Sequence, residues 1–227
     1  MDLIQALAAE LGKDPRHVEN VVHLLDEGNT IPFIARYRKE LHGAMDDTSL
    51  RTLEERLQYL RGLEERREAV KKSIDEQGKL TDELAAAIDS AKTLAEVEDL
   101  YRPYKQKRRT RATMAKEKGL EPLAALLFAQ ERDCPRLEEA ARDFVDPEKG
   151  VETVEDALQG ASDIIAEQIS DDAAIRKSLR ALISRQGQLV SRAATEDDSV
   201  YRLYYDFTQS VARLQGHQVL AINRGEK

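Results

Sequence analysis

Between Leu100 and Lys116 the chain carries seven basic residues and no acid: Arg102, Lys105, Lys107, Arg108, Arg109, Arg111 and Lys116. Tyr101 and Tyr104 are interleaved with the first of them. Guanidinium and ammonium groups neutralise backbone phosphates, and phenol rings stack on unpaired bases. Tyr101, Arg102, Tyr104, Lys105, Lys107, Arg108, Arg109 and Arg111 therefore form a candidate nucleic-acid-binding strip. Pro103 and Thr110 make this stretch a loop rather than a helix face, from which side chains can fan out. The competing use is internal, with the same cations paired to acids of the protein itself or of a neighbouring domain. Setting the seven aside leaves 28 basic against 43 acidic residues, a balance of −15 on a chain whose net charge is −8. An acidic body repels a polyanion everywhere except at this strip.

A second candidate opens the chain. Ala8, Gly12 and Val18 keep the Ala-x3-Gly-x5-Val spacing of a helix-turn-helix, with Leu7, Leu11 and Val21 at further apolar positions. In a DNA reader, Arg16, His17 and Asn20 would face the major groove. Lys13 breaks the pattern, and Asp14 and Glu19 put negative charge on the same helix. A plain helical hairpin uses the same glycine.

Other chemistries are not assembled. The carboxylate pairs Asp46–Asp47, Glu64–Glu65, Asp171–Asp172 and Asp197–Asp198 are sequence neighbours that diverge on a helix, and several stand where caps are expected. His17, His23, His42 and His217 show no metal-binding spacing, and the single cysteine, Cys134, has no Cys–His signature around it. No glycine-rich nucleotide loop occurs. The reading is of a non-enzymatic chain with no catalytic residue, no metal and no cofactor. It also has no secretory leader and no apolar run long enough for a membrane span, which fits a cytoplasmic protein without membrane partners.

The elements that position these residues are helical. Leu3–Leu11, then a helix opened by Asp14-Pro15, then a short one from Pro32 make up a first section, 1–45. A long helix over Thr48–Gln77 follows, with Leu50, Leu53, Leu57 and Leu60 at 3-4-3 spacing, then a slip after which Leu63, Val70 and Ile74 carry on. Its charged face, Glu54 to Glu68 with Arg56, Arg66 and Arg67, reads as solvated. Further helices are expected from Thr81, Thr93, Thr113, Pro122, Pro135, Thr153 and Ser170, giving a main bundle over 46–187 that holds the loop 101–111. Leu126, Ile165 and Leu182 join the long helix's leucines as expected core. Past Gly187 an irregular segment, 188–227, gathers Tyr201, Tyr204, Tyr205 and Phe207, four of the eleven aromatics, as a latch on the bundle. That tail is expected to lean on something outside itself, and the chain to continue past Lys227. The fold class is all-α, a multi-helix bundle or stack with one long central helix.

Three groups of residues carry a family resemblance: Ile31-Pro-Phe-Ile-Ala-Arg-Tyr-Arg-Lys-Glu40; Leu53-Glu-Glu-Arg-Leu57 through Ser73-Ile-Asp-Glu-Gln-Gly-Lys-Leu80; and Asp99-Leu-Tyr-Arg-Pro-Tyr-Lys-Gln-Lys-Arg-Arg-Thr-Arg-Ala-Thr113 with Glu117-Lys-Gly-Leu-Glu-Pro-Leu123. Asn223-Arg-Gly-Glu-Lys227 adds an RGE segment. Over essentially its whole length the chain resembles the amino-terminal region of the bacterial Tex family of transcription accessory proteins. Gln106 stands where that family usually has Pro. The resemblance implies a cytoplasmic parent that binds RNA or DNA and acts with the transcription machinery. It also implies downstream RNase H-like, helix-hairpin-helix and OB-fold domains that are absent here, the OB-fold supplying most of the binding. It carries over no catalytic residue. The alternative it leaves is a scaffolding or protein-docking module with no nucleic-acid contact of its own.

Overall fold

The computed structural model describes residues 3–105, 108–131, 135–195 and 197–226. Two compact units divide the chain, Met1–Glu98 and Asp99–Lys227. Among the described residues twelve α-helices and one two-stranded sheet occur, which is the all-α class the sequence predicts.

In the first unit, α1 (Leu3–Leu11), α2 (Pro15–Asp26) and α3 (Ile31–Tyr37) pack on α4 (Asp47–Asp75), as does α5 (Asp82–Ser90). The start of α2 is set by Asp14, whose carboxylate accepts the Arg16 N–H at 2.9 Å, with Pro15 in the first turn where its missing N–H is harmless. Asp46 caps α4 in the same manner through Ser49 at 2.8 Å. At ~1.5 Å per residue the 29 residues of α4 reach about 44 Å. Leu50, Leu53, Leu57, Leu60, Leu63, Val70 and Ile74 are all buried along it. The gap in its apolar row between Leu63 and Val70 has a cause: Arg67, expected on the solvated face, occupies the seam. It is 2% exposed and donates to the Ala91 carbonyl at 2.6 Å and to Glu64 at 2.6 Å. The aliphatic part of an arginine fills an apolar row provided its head finds acceptors, and the end of α5 supplies one.

In the second unit, α10 (Val154–Asp171) is the central rod. It is opened by a reciprocal capping box between Thr153 and Asp156, and α7 (Arg111–Glu117), α8 (Glu121–Ala129) and α9 (Leu137–Arg142) lie against it. Ala112, Ala115, Leu120, Leu123, Ala157, Ala161 and Ile164 form the core. Small residues here allow close helix approach, and at Gly160 a Cβ would collide with Leu120. The segment expected to be irregular carries short regular elements. Past α11 (Ala173–Gln186) the segment is ordered as an antiparallel hairpin of β1 (Gln188–Arg192) and β2 (Asp206–Ser210), with Gln188 opposite Ser210, followed by α12 (Gly216–Gly225). Its aromatics are half-buried and serve that segment. Tyr204 meets Phe207 edge-on at 5.3 Å, Tyr205 donates to Ser199 at 2.8 Å, and Tyr201 lies beside Gly225.

Three smaller expectations change. Asp172, not Ser170, caps α11, through Ile175 at 2.7 Å. Helix α7 begins at Arg111, two residues earlier than Thr113, because Thr110 caps it. Leu182 is 42% exposed, and Leu126 and Ile165 are only partly buried.

Candidate nucleic-acid interface

The basic strip begins where α6 (Leu94–Tyr101) ends. Tyr101 is its last residue, Arg102–Tyr104 form one 3-10 turn, and Arg111 already lies in α7, which Thr110 caps. Lys107 and Gln106 lie outside the described residues.

What fixes the strip is an acidic row on α10. Asp163, Glu167 and Asp171 recur every four residues, one above another on a single helix face. Arg111 Nε lies 3.9 Å from Asp163, the Thr110 hydroxyl donates to Glu167 at 3.1 Å, and Arg102 Nε donates to Asp171 at 3.0 Å. Arg109 pairs with Glu117 at 2.6 Å, and Lys116 lies 3.7 Å from Glu121. Lys105 and Arg108 are exposed and make no ion pair with a described residue. Tyr101 and Tyr104 are half-buried and both have partners within the protein.

A second anchor sits two residues before Tyr101. Asp99 is 4% exposed and takes Arg176 Nε on one oxygen and Arg180 Nη2 on the other, each at 2.6 Å. Burial pushes the Asp99 carboxyl up, but the hydrogen bonds from Arg176 and Arg180 outweigh it, and the group titrates below its ordinary value. Asp99 thereby joins α11 to the start of the strip. Sequence reading missed Asp99, Arg176 and Arg180, and it missed the acidic row. The row was visible as three acids at i, i+4 and i+8 within one helix. So was the run 173–195, which has five basic residues and no acid.

These geometries differ in strength. Arg111 and Arg109 keep 80% and 68% of their side-chain surface in water. Pairs that exposed contribute about 0–1 kcal/mol each, so a phosphate can replace the carboxylate at little cost. Asp171 is 13% exposed and Asp99 6% at the side chain, so Arg102, Arg176 and Arg180 are structural fasteners first. By exposure, Lys105, Arg108, Arg109 and Arg111 are the cations of the described part of the strip within reach of a competing anion.

At the amino-terminal hairpin, two of the three residues a DNA reader would aim outward have partners within the protein: the Asn20 amide donates to the Leu41 carbonyl at 3.1 Å and His17 lies against Gly43. Arg16, 3.2 Å from Asp14, keeps 85% of its side chain exposed. Among the described residues no group of acids, histidines and cysteines could hold a metal ion, and no helix is long and apolar enough to cross a membrane. Cys134 lies outside the described residues.

Fold and site together define an all-α module bearing a cationic strip pinned on an acidic helix face. Residues 1–75 match the model of the Tex-like protein N-terminal domain, and residues 134–227 match that of the Tex central region. A Bacillus subtilis protein, YdcI, is 48% identical over 99% of this chain, which spans 32% of that protein. The transcriptional accessory protein Tex of Neisseria gonorrhoeae is 42% identical over 99% of this chain, which spans 30% of it. The human S1 RNA-binding domain-containing protein 1 is 31% identical, again over 99% of this chain, which spans 23% of it. The chain belongs to the Tex family. It spans about a third or less of the length of these relatives.

Proposed function

We propose that this chain is the helical amino-terminal module of a transcription accessory protein whose whole length binds RNA or DNA. Its own contribution is a sequence-independent contact to backbone phosphates through Lys105, Lys107, Arg108 and Arg109. The reading is supported by the exposure of Lys105, Arg108 and Arg109, while Arg102 and Thr110 are held on α10. The names of two relatives, a transcriptional accessory protein and an S1 RNA-binding domain-containing protein, support the nucleic-acid class of the parent. The module itself is non-enzymatic and cytoplasmic. RNase H-like, helix-hairpin-helix and OB-fold domains, with the transcription machinery, supply the rest of the activity. Sections 1–45, 46–187 and 188–227 serve as a hairpin, the run of helices that carries the strip, and a lead into those domains. A second reading, a scaffolding module without nucleic-acid contact, is favoured by the internal partners of Arg102, Arg109 and Arg111.

The two readings separate in one experiment. The full-length protein and its Lys107→Glu, Arg108→Glu, Arg109→Glu variant are titrated with one single-stranded RNA at several salt concentrations. Single strands give a slope of log K on log salt of about −0.7 per phosphate, so four contacts contribute roughly −3 and the variant loses most of that. The loss is equal for unrelated sequences, because phosphate contacts carry no base information. Unchanged affinity and slope with a lowered thermal midpoint removes the strip from the interface and leaves the scaffolding reading.

A further inference from the structure

Helix α3 buries one side and presents the other. Ile31 and Ile34 are buried where α3 packs on α4, which turns Phe33, Arg36 and Tyr37, spaced i, i+3 and i+4, to the opposite face. The Phe33 and Tyr37 rings meet with their centroids 5.2 Å apart, and the Arg38 guanidinium lies 5.2 Å from the centroid of Phe33. The pair of rings is thus braced within the protein, while Tyr37 stays 55% exposed. An open recess of ≈ 680 Å³ runs beside it, with Pro32, Phe33, Arg36, Tyr37, Lys39 and Asp47 in its lining.

The cations of this recess are not used by the protein's own acids. Arg36 and Lys39 are exposed, and neither makes an ion pair with a described residue. Asp47 is answered by Arg51 at 2.8 Å, and Glu40 is the one acid beside Arg36, Arg38 and Lys39 in the run 36–40. Lys39 stands in a turn whose main chain is fixed. The Leu41 N–H donates to the Arg38 carbonyl at 2.9 Å and the Ala44 N–H to the Lys39 carbonyl at 3.4 Å, with His42 and Met45 buried. A braced, half-open aromatic ring between two free cations matches a base with a phosphate on either side of it. An acidic peptide answers the cations but leaves the ring face without a flat partner. We propose that this recess seats one nucleotide of single-stranded nucleic acid, its base stacked on Tyr37 and its flanking phosphates on Arg36 and Lys39. The inference rests on the nucleic-acid reading of the parent, and it stands apart from the phosphate contact of the basic strip.

Photo-cross-linking of the full-length protein to a uridine-rich single-stranded RNA carrying bromouridine tests it, with the cross-linked peptides mapped by mass spectrometry. A cross-link forms at Tyr37, persists in Tyr37→Phe at the same position and is lost in Tyr37→Leu. With unmodified RNA, Tyr37→Leu weakens binding at least about fivefold while Tyr37→Phe stays near wild type, because stacking needs the ring and not the hydroxyl. Arg36→Gln with Lys39→Gln reduces the slope of log K on log salt by roughly 1.4, two phosphates at about 0.7 each. The thermal midpoints of these variants serve as the control for intact folding. The same map is made on the Lys107→Glu, Arg108→Glu, Arg109→Glu variant. A Tyr37 cross-link that persists there upholds the recess even if the strip fails its own test, whereas one lost with the strip overturns the recess as a site of its own. No cross-link at Tyr37, or unchanged affinity in Tyr37→Leu, overturns the proposal. So does polyglutamate that displaces the RNA from Tyr37 as well as unlabelled RNA of equal charge, which assigns the recess to an acidic protein.

Discussion

Replacing Asp99 by Asn keeps the side-chain shape and deletes the charge that Arg176 and Arg180 share. The amide oxygen still accepts from one arginine, while the amide nitrogen now faces a donor. Each lost charge-assisted hydrogen bond is worth about 1.5–3 kcal/mol, and breaking a fully buried pair costs about 3–5 kcal/mol. Asp99 is 6% exposed at the side chain, but the arginines keep 32% and 42% of theirs in water and can resolvate, which pulls the figure down. A net loss of about 2–3 kcal/mol follows, or roughly 6–12 °C in the midpoint of a unit of this size. By contrast Arg16→Ala, which removes a pair with the arginine 85% exposed, should move the midpoint by no more than its scatter. Calorimetry with α11 exchange as a local probe reads both. The pH profile adds a sign. The folded Asp99 carboxyl titrates below its unfolded value, so its contribution is present above that unfolded value and is lost as pH falls through the folded one. The gap between wild type and Asp99→Asn should therefore be constant near neutrality and close below about pH 4. A midpoint change under about 2 °C, or a gap that stays constant down to pH 3, would refute the account of Asp99 as the fastener of α11.

Leu53→Ala empties a fully buried seam position of α4 and should cost about 2–5 kcal/mol in chemical denaturation, whereas Leu182→Ala in the 227-residue chain should cost under about 1 kcal/mol. Equal losses at the two sites would contradict the burial pattern. Gly43→Ala forces a positive φ on alanine and drives its Cβ into the His17 ring, so a loss of about 2 kcal/mol or more is expected, against about 1 kcal/mol for Gly28→Ala, where a Cβ meets open space. Thr153→Ala breaks the capping box of α10 and should lower the midpoint by the equivalent of about 1 kcal/mol, with restoration by Ser.

The helices, most of their starts and the long α4 were legible in the sequence, because caps and apolar periodicity are local properties of the chain. Asp14-Pro15, Asp46 and Thr153 fix helix ends by hydrogen bonds to residues two or three positions away, and the leucines of α4 declare one face. The basic strip and the motifs of the Tex family were legible for the same reason. Periodicity shows which residues share a face. It does not show what that face meets. Leu182 belongs to a regular stripe and lies open, while Arg67 belongs to a charged run and is buried, because the neighbouring helices decide which side of α11 and α4 is covered. The hairpin of β1 and β2 escaped for a related reason: two strands of five residues, without a short turn signal between them, exist only through their pairing. The partners of the strip are the clearest case. Arg102 meets Asp171 across 69 residues, and Asp99 meets Arg176 and Arg180 across 77 and 81. Charge content established that an acidic chain carried one cationic segment. Which acids would hold it, and which cations would remain open, was settled only when α10 and α11 packed beside the end of α6, because the energy of an ion pair depends on distance and burial, and neither is written along the chain.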